Sequence, residues 1–244
     1  MARYKVILAY DGTDFHGSQK QRNQRTVQDE LEKALKKLDW TGKRTIFAGR
    51  TDAGVHASGQ VAVFEHFWKH PEGKLQRAIN SVLPKDVRVM EISSISGDFH
   101  PRYDAVQRRY GYTLDITEVQ NPLNRLYRWH VWPRPDMEKM IAASQLLVGI
   151  HDFDALGSAL SPKGSTIRVI DEAEWQDFDD RMIFEIAGNA FLYHMVRHIV
   201  FVLVSIGLGR LQISDLQGYL DHPAGDPAQG LAPAHGLNLL SVQY

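Results

Sequence analysis

The sequence predicts an α+β fold in two halves, and three observations carry the prediction. Runs of β-branched and aromatic residues alternate with segments of helical period in the order β-α-β-β-α-β across residues 4–95, the split order of a ferredoxin-like sandwich. A turn-rich break, Asp98-Phe99-His100-Pro101-Arg102, is followed by a second series of strands and helices that roughly echoes the first. With 244 residues, 43% of them hydrophobic and 23% charged, the chain has the length and composition for one large core or two small ones.

Each element has a local reason. Residues 4–10 alternate β-formers and end at Asp11-Gly12-Thr13, a turn signal. A polar, Gln-rich connection over residues 15–25 leads to Thr26-Val27-Gln28-Asp29, an N-cap with an acid three residues on. From there Val27, Leu31, Ala34, Leu35 and Leu38 repeat at helical spacing. Residues 45–48 and 60–65 read as strands flanking a glycine-containing loop. Leu75, Ala78, Ile79, Val82 and Leu83 predict a second helix stopped by Pro84, and residues 87–95 another strand.

Beyond a boundary near Ala105, residues 109–116 and 127–132 read as strands around Asn121-Pro122-Leu123-Asn124. Pro135-Asp136 opens a helix with Met137, Met140, Ile141, Ser144, Leu147 and Val148 on one face and Gly149 as its stop. Residues 151–165, with Gly157, Ser158, Pro162 and Gly164, read as an irregular functional or mobile loop. Residues 166–178 and 182–187 form a hairpin around Asp179-Asp180, residues 191–208 and 216–220 two helices, and residues 237–244 a final strand. The expected organisation is two halves, residues 1–104 and 105–244. Their sheets are expected to join into one continuous, mainly antiparallel sheet with helices on one side and a ligand cleft between the halves.

Composition excludes several chemistries. There is no cysteine, hence no disulfide, thiolate zinc site or cysteine nucleophile, which fits a cytoplasmic protein. The start, Met1-Ala2-Arg3-Tyr4-Lys5, lacks the apolar core of a signal peptide. The longest apolar run, residues 199–208, is about half of a bilayer span, so no membrane partner is expected. A net charge of −1 argues against binding nucleic acid through the whole surface. Local basic clusters would have to serve: Lys20, Arg22 and Arg25, or Arg102, Arg108 and Arg109, each of which also suits a solvated face.

The segment Gly49-Arg50-Thr51-Asp52-Ala53-Gly54-Val55-His56-Ala57 is the leading site candidate. A carboxylate on a glycine-containing loop between strands is where catalytic groups are often held. The same composition also suits a tight turn in which Asp52 bonds its own backbone. Arg197 comes next, because it lies in a helical stretch that is apolar nearly all round. A guanidinium buried there needs an acid, a phosphate or a set of carbonyls within reach. Arg108-Arg109-Tyr110-Gly111-Tyr112 combines cations with aromatic faces, ingredients of base stacking, and equally suits an edge strand. His194 and His198 stand four apart as helical metal ligands can, but no His-Glu signature or thiolate completes a set, so no metal is expected.

Four blocks together resemble the tRNA pseudouridine synthase A family: residues 49–56 continuing into Gly59-Gln60-Val61, the Arg108–Tyr112 segment, Asn189-Ala190-Phe191-Leu192-Tyr193-His194-Met195-Val196-Arg197, and Ala232-Pro233-Ala234-His235-Gly236-Leu237. They occur in the family's order over nearly the whole chain. The resemblance implies two RRM-like halves and isomerisation of uridine to pseudouridine in the anticodon stem-loop of tRNA, at three adjacent positions on the 3′ side of the anticodon. By that resemblance Asp52 is the nucleophile, Arg197 its ionic partner, Tyr110 the aromatic group against the uracil, and Leu237 packs on the target base. Arg50 helps hold the flipped nucleotide. It further implies a homodimer acting on tRNA rather than DNA, with no cofactor.

Two departures stand out. Gly111 replaces an Arg usual in the family, and Ser18 replaces a common Trp, which puts a stacking contact in doubt. Two rival functions are a non-catalytic RNA-binding protein and a metal-dependent phosphotransferase using Asp11. A plain turn accounts better for Asp11-Gly12-Thr13, because the second aspartate of such phosphotransferases is absent.

Overall fold

A computed structural model describes residues 1–159, 161 and 164–244. The chain divides into two compact units, residues 1–106 with 238–244, and residues 107–237.

The first unit runs β1 (Ala2–Tyr10), α1 (Val27–Lys36), β2 (Ile46–Phe47), β3 (His56–His66), α2 (Glu72–Val82) and β4 (Val87–Ile95). Tyr4, Val6, Leu8 and Tyr10 alternate inward along β1 and are buried, as a period of two requires of a strand covered on one face. Thr26 caps α1 by accepting from the Asp29 N–H, and Val27, Leu31, Ala34 and Leu35 face the sheet. Each such fully buried Leu contributes about 1.5–3 kcal/mol relative to exposure. β1 lies between β3 and β4, antiparallel to both, and β2 pairs with the outer side of β3. The resulting order β4-β1-β3-β2 is that of a ferredoxin-like sandwich.

The second unit runs β5 (Gln107–Asp115), β6 (Trp129–His130), α3 (Met137–Gln145), β7 (Gly149–Asp152), β8 (Ile167–Asp177), β9 (Arg181–Gly188), α4 (Met195–Gly207) and α5 (Ile213–Asp221). Its strands are ordered β5-β9-β8-β7, with β6 beside β5. Placing β9 between β5 and β8 repeats the arrangement of β3 between β1 and β2. Asp136 caps α3 through the Lys139 N–H at 3.2 Å. α3 crosses the end of α4 closely: a Cβ on Gly207 would stand 2.8 Å from Met140 Cγ. The core holds Tyr112, Leu114, Met140, Leu147, Phe153, Leu156 and Phe184.

The last strand, β10 (Leu237–Gln243), folds from Asn238 onward with the first unit, because Asn238 and Leu239 pair in parallel with His56 and Ala57 of β3. The Cα of Gly59 makes room for that strand, since a Cβ there would meet the Leu240 carbonyl oxygen at 2.1 Å.

Several elements differ from expectation. β3 begins at His56 rather than at residue 60: Ala57 pairs with Tyr10 of β1 and with Leu239 of the last strand, across a register shift at Ser58-Gly59, whose own strand preference is weak. β6 shrinks to two residues. The start of the irregular loop is instead ordered: β7 pairs with β8, and a 3₁₀ turn covers Asp154–Leu156. Pro162 of that loop lies outside the described residues, as do Leu160 and Lys163. The helix expected from residue 191 begins only at Met195. His194 adopts a left-handed φ of 63° and Tyr193 makes an antiparallel bridge to Ser158, which together prevent an earlier start.

Candidate active site

In the first unit the loop between β2 and β3 presents Asp52 half-buried, with Arg50 and Ala53 exposed beside it. Its carbonyl accepts from the Val55 N–H at 3.2 Å, so the loop is a turn, as its glycine suggested. Gly54 supplies the positive φ of 78° and donates its N–H to the Phe15 carbonyl at 3.2 Å.

The supposedly polar connection over residues 15–25 is the wall against which this turn is built. Gly12 lies so close that a Cβ would come within 2.0 Å of the Val55 carbonyl oxygen, and one on Gly17 within 2.7 Å of the Thr51 carbonyl oxygen. His56 Nδ1 accepts the Gly12 N–H at 2.9 Å. The same Nδ1 lies 3.2 Å from an Asp11 carboxylate oxygen. Asp11 Oδ1 accepts from the Thr13 N–H and hydroxyl at 3.0 and 2.6 Å, the side-chain turn that its sequence favoured over phosphotransfer.

In the second unit three of the resembling blocks meet. Tyr110 and Tyr112 project from the same face of β5, two residues apart. Tyr110 is half-buried, its ring edge-on to Phe191 at 5.1 Å. Tyr112 is fully buried, and its hydroxyl donates to the Pro233 carbonyl at 2.7 Å. Burial raises its pKa far above the usual phenol range, against a smaller opposing effect of the Arg197 cation, so it stays a donor. A Cβ on Gly236 would reach within 2.5 Å of that ring, which explains a glycine there.

Arg197, in the first turn of α4, donates from Nε to the Ala232 carbonyl at 2.7 Å, while its own carbonyl accepts the Ala232 N–H at 3.2 Å. The segment 232–236 is thus fastened to both α4 and β5. Arg197 is half-buried rather than fully enclosed as expected. Leu237 is buried at the end of the same segment.

The basic clusters are largely spoken for. Lys20 pairs with Asp29 and Glu32 at 2.9 and 3.1 Å, and Arg25 grips both oxygens of Asp86 at 2.7 and 2.9 Å. Arg109 binds both oxygens of Glu172 at 2.7 Å, with Glu185 at 3.4 Å. The partners of Arg25 and Arg109 lie 61 and 63 residues away, beyond the reach of local sequence pattern. Among the described residues no three His, Asp or Glu side chains come together as a metal site needs, and no helix is long and apolar enough to cross a membrane. The rings of His194 and His198 stand 6.2 Å apart, and His198 Nδ1 faces the Gly230 carbonyl at 2.8 Å.

The sequence reading missed the groups beneath the Asp52 turn: Tyr10, Ser18 and Gln60, all buried, with Thr51 among them. The inward register of Tyr10 on β1 was a usable signal; the burial of Ser18 had none.

Comparison with known proteins agrees with these blocks. The pattern that describes tRNA pseudouridine synthases matches residues 6–104 and 143–244. The tRNA pseudouridine synthase A of Limosilactobacillus fermentum is 42% identical over 100% of this chain and 96% of its own. That of Latilactobacillus sakei is 41% identical over 99% and 98%, and that of a Thermoanaerobacter species 39% identical over the full length of both. A likeness of this depth, spanning both units, means that the chain belongs to the tRNA pseudouridine synthase family.

Proposed function

We propose that this protein isomerises uridine to pseudouridine in the anticodon stem-loop of tRNA, with Asp52 as its nucleophile. The observation that carries the reading is the Asp52 turn: a half-exposed carboxylate on a loop whose neighbours are fixed by buried hydrogen bonds. Isomerisation breaks the bond from uracil N1 to ribose C1′, turns the base, and forms a bond from C5 to C1′, with a proton lost from C5 and one gained at N1. Atoms balance without oxidant, reductant or donated group, so the reaction requires no cofactor. Asp52 adds to ribose C1′ or to uracil C6 and is expelled again before product leaves.

By family resemblance, Arg197 keeps Asp52 ionised and oriented, Tyr110 stacks on the uracil, Leu237 packs against the base, and Arg50 contacts the everted nucleotide. Extruding the target nucleotide costs a few kcal/mol, offset by stacking and phosphate contacts. The three adjacent positions on the 3′ side of the anticodon are the proposed targets.

The test is incubation with unmodified tRNA in EDTA, with enough monovalent salt to keep the stem paired, followed by mapping of pseudouridine. Pseudouridine at those positions, formed equally well in chelator, is expected; tRNA binding with unchanged uridine would instead make this an RNA-binding protein. A cytoplasmic homodimer is part of the same reading. Light scattering after size-exclusion chromatography should give twice the chain mass, and an active species of single-chain mass would overturn it.

A further inference from the structure

A buried, uncharged polar cluster lies directly beneath the Asp52 turn, entirely within the first unit. We propose that Ser18, supported by Tyr10, is a positioning residue that sets the direction of the Asp52 carboxylate by fixing the peptide before it. Ser18 is 0% exposed. Its hydroxyl accepts the Thr51 N–H at 2.8 Å, and its own N–H donates to the Thr51 carbonyl at 3.1 Å. One serine therefore holds both main-chain groups of the residue preceding the nucleophile. Its carbonyl in turn accepts the Gln28 N–H at 3.0 Å, so the serine is anchored to the first turn of α1.

Tyr10 completes the hold from the strand side. Its hydroxyl shares a hydrogen bond of 2.8 Å with Thr51 Oγ1, fixing the side chain of the same residue. Gln60 on β3 donates to the Gly49 carbonyl at 3.1 Å and approaches the Tyr10 hydroxyl at 3.5 Å, so the incoming stem of the loop is tied to the same group. Burial raises the Tyr10 pKa to about 12, hence the phenol remains protonated wherever the enzyme works.

Three features make this a positioning device rather than ordinary loop packing. The bonds converge on one residue, Thr51, and leave the carboxylate next to it half-exposed. The hydroxyls and amide are neutral, so they orient Asp52 without altering its charge. Buried hydroxyls bonded as those of Ser18 and Tyr10 are specify one geometry where apolar filling would allow several, although the Gln60 Oε1 beside them has no hydrogen-bond partner among the described residues. A nucleophile displaced by about 1 Å can lose on the order of a hundredfold in rate while binding is unaffected. This also gives Ser18 a role of its own where many relatives are expected to carry Trp: the position is inside the molecule, under the catalytic loop, and not a stacking surface for RNA.

The inference rests on Asp52 being the nucleophile. The experiment measures tritium released from C5 of labelled uridine in tRNA, as kcat and KM, for the unaltered protein and for Ser18→Ala, Tyr10→Phe, Asp52→Asn and Ile79→Val. The last trims a fully buried core side chain on α2 and serves as the control for general destabilisation. Ser18→Ala should lower kcat about tenfold or more, with KM within twofold, because the loop loses its aim and not its RNA contacts. Tyr10→Phe should lower kcat about threefold to tenfold by the same route, and Ile79→Val should lose melting temperature with kcat unchanged. A folded Ser18→Ala protein with kcat within twofold of the unaltered one overturns the proposal, as does a kcat loss no larger than that of Ile79→Val. If Ser18→Ala does not fold, a normal kcat for Tyr10→Phe overturns it. Full activity of Asp52→Asn would refute the nucleophile itself, an outcome distinct from a normal Ser18→Ala beside an inactive Asp52→Asn.

Discussion

Asp52→Asn is expected to leave a folded protein that binds tRNA and forms no measurable pseudouridine, a loss on the order of a thousandfold or more. The amide matches the carboxylate in size and shape, so the turn held by Ser18, Tyr10 and Phe15 should persist. What disappears is the oxygen proposed to form a covalent bond to the substrate. Affinity for tRNA within about threefold of the unaltered protein would place the loss in chemistry, since an interaction made only during reaction changes kcat and leaves ground-state binding alone. Residual turnover above about one part in a hundred would exclude Asp52 as nucleophile.

The second large effect belongs to Arg197. Arg197→Met should fold and yet lose turnover by about a hundredfold or more, because the cation proposed to hold Asp52 ionised is gone. Methionine approximates the aliphatic stem, and α4 is apolar around it. The main-chain bond from Ala232 to the Arg197 carbonyl survives, while the Ala232 carbonyl loses its guanidinium donor. That loss costs about 1–3 kcal/mol, affordable for a domain of ordinary stability. Arg197→Lys should recover little, since a lysine offers a point charge and cannot bond the Ala232 carbonyl through a side-facing Nε. Near-normal rates from a folded Arg197→Met protein would remove Arg197 from the mechanism; melting temperature measured alongside separates that result from unfolding.

What the sequence made legible was whatever depends on short-range pattern. The alternation of Tyr4, Val6, Leu8 and Tyr10, the Thr26 cap and the helical spacing from Val27 to Leu35 each pointed to the element that formed. The turn at Asp52 was legible from its glycine and its place between strands. Contributions set by distant partners were not. Ala57-Ser58-Gly59 joins β3 only because β1 and β10 flank it. The four residues before Met195 look helical locally, but the bridge between Tyr193 and Ser158 and the left-handed His194 decide otherwise. Arg109 read as a cation beside aromatic faces or as part of an edge strand, because Glu172, which binds it, lies 63 residues away. Ser18 read as a missing aromatic for the same reason: nothing adjacent in the chain signals that its hydroxyl faces the Thr51 amide.

The return of the last strand to β3 also bears on how the protein is made. Residues 1–106 leave the ribosome first, yet the edge of their sheet beside His56 and Ala57 stays open until Asn238 has been synthesised. Pairings over such separations form late in folding, since the loop they close is long. A nascent chain therefore carries the Asp52 loop on an unfinished scaffold until residues 238–244 have been made, and competence for tRNA modification waits for them.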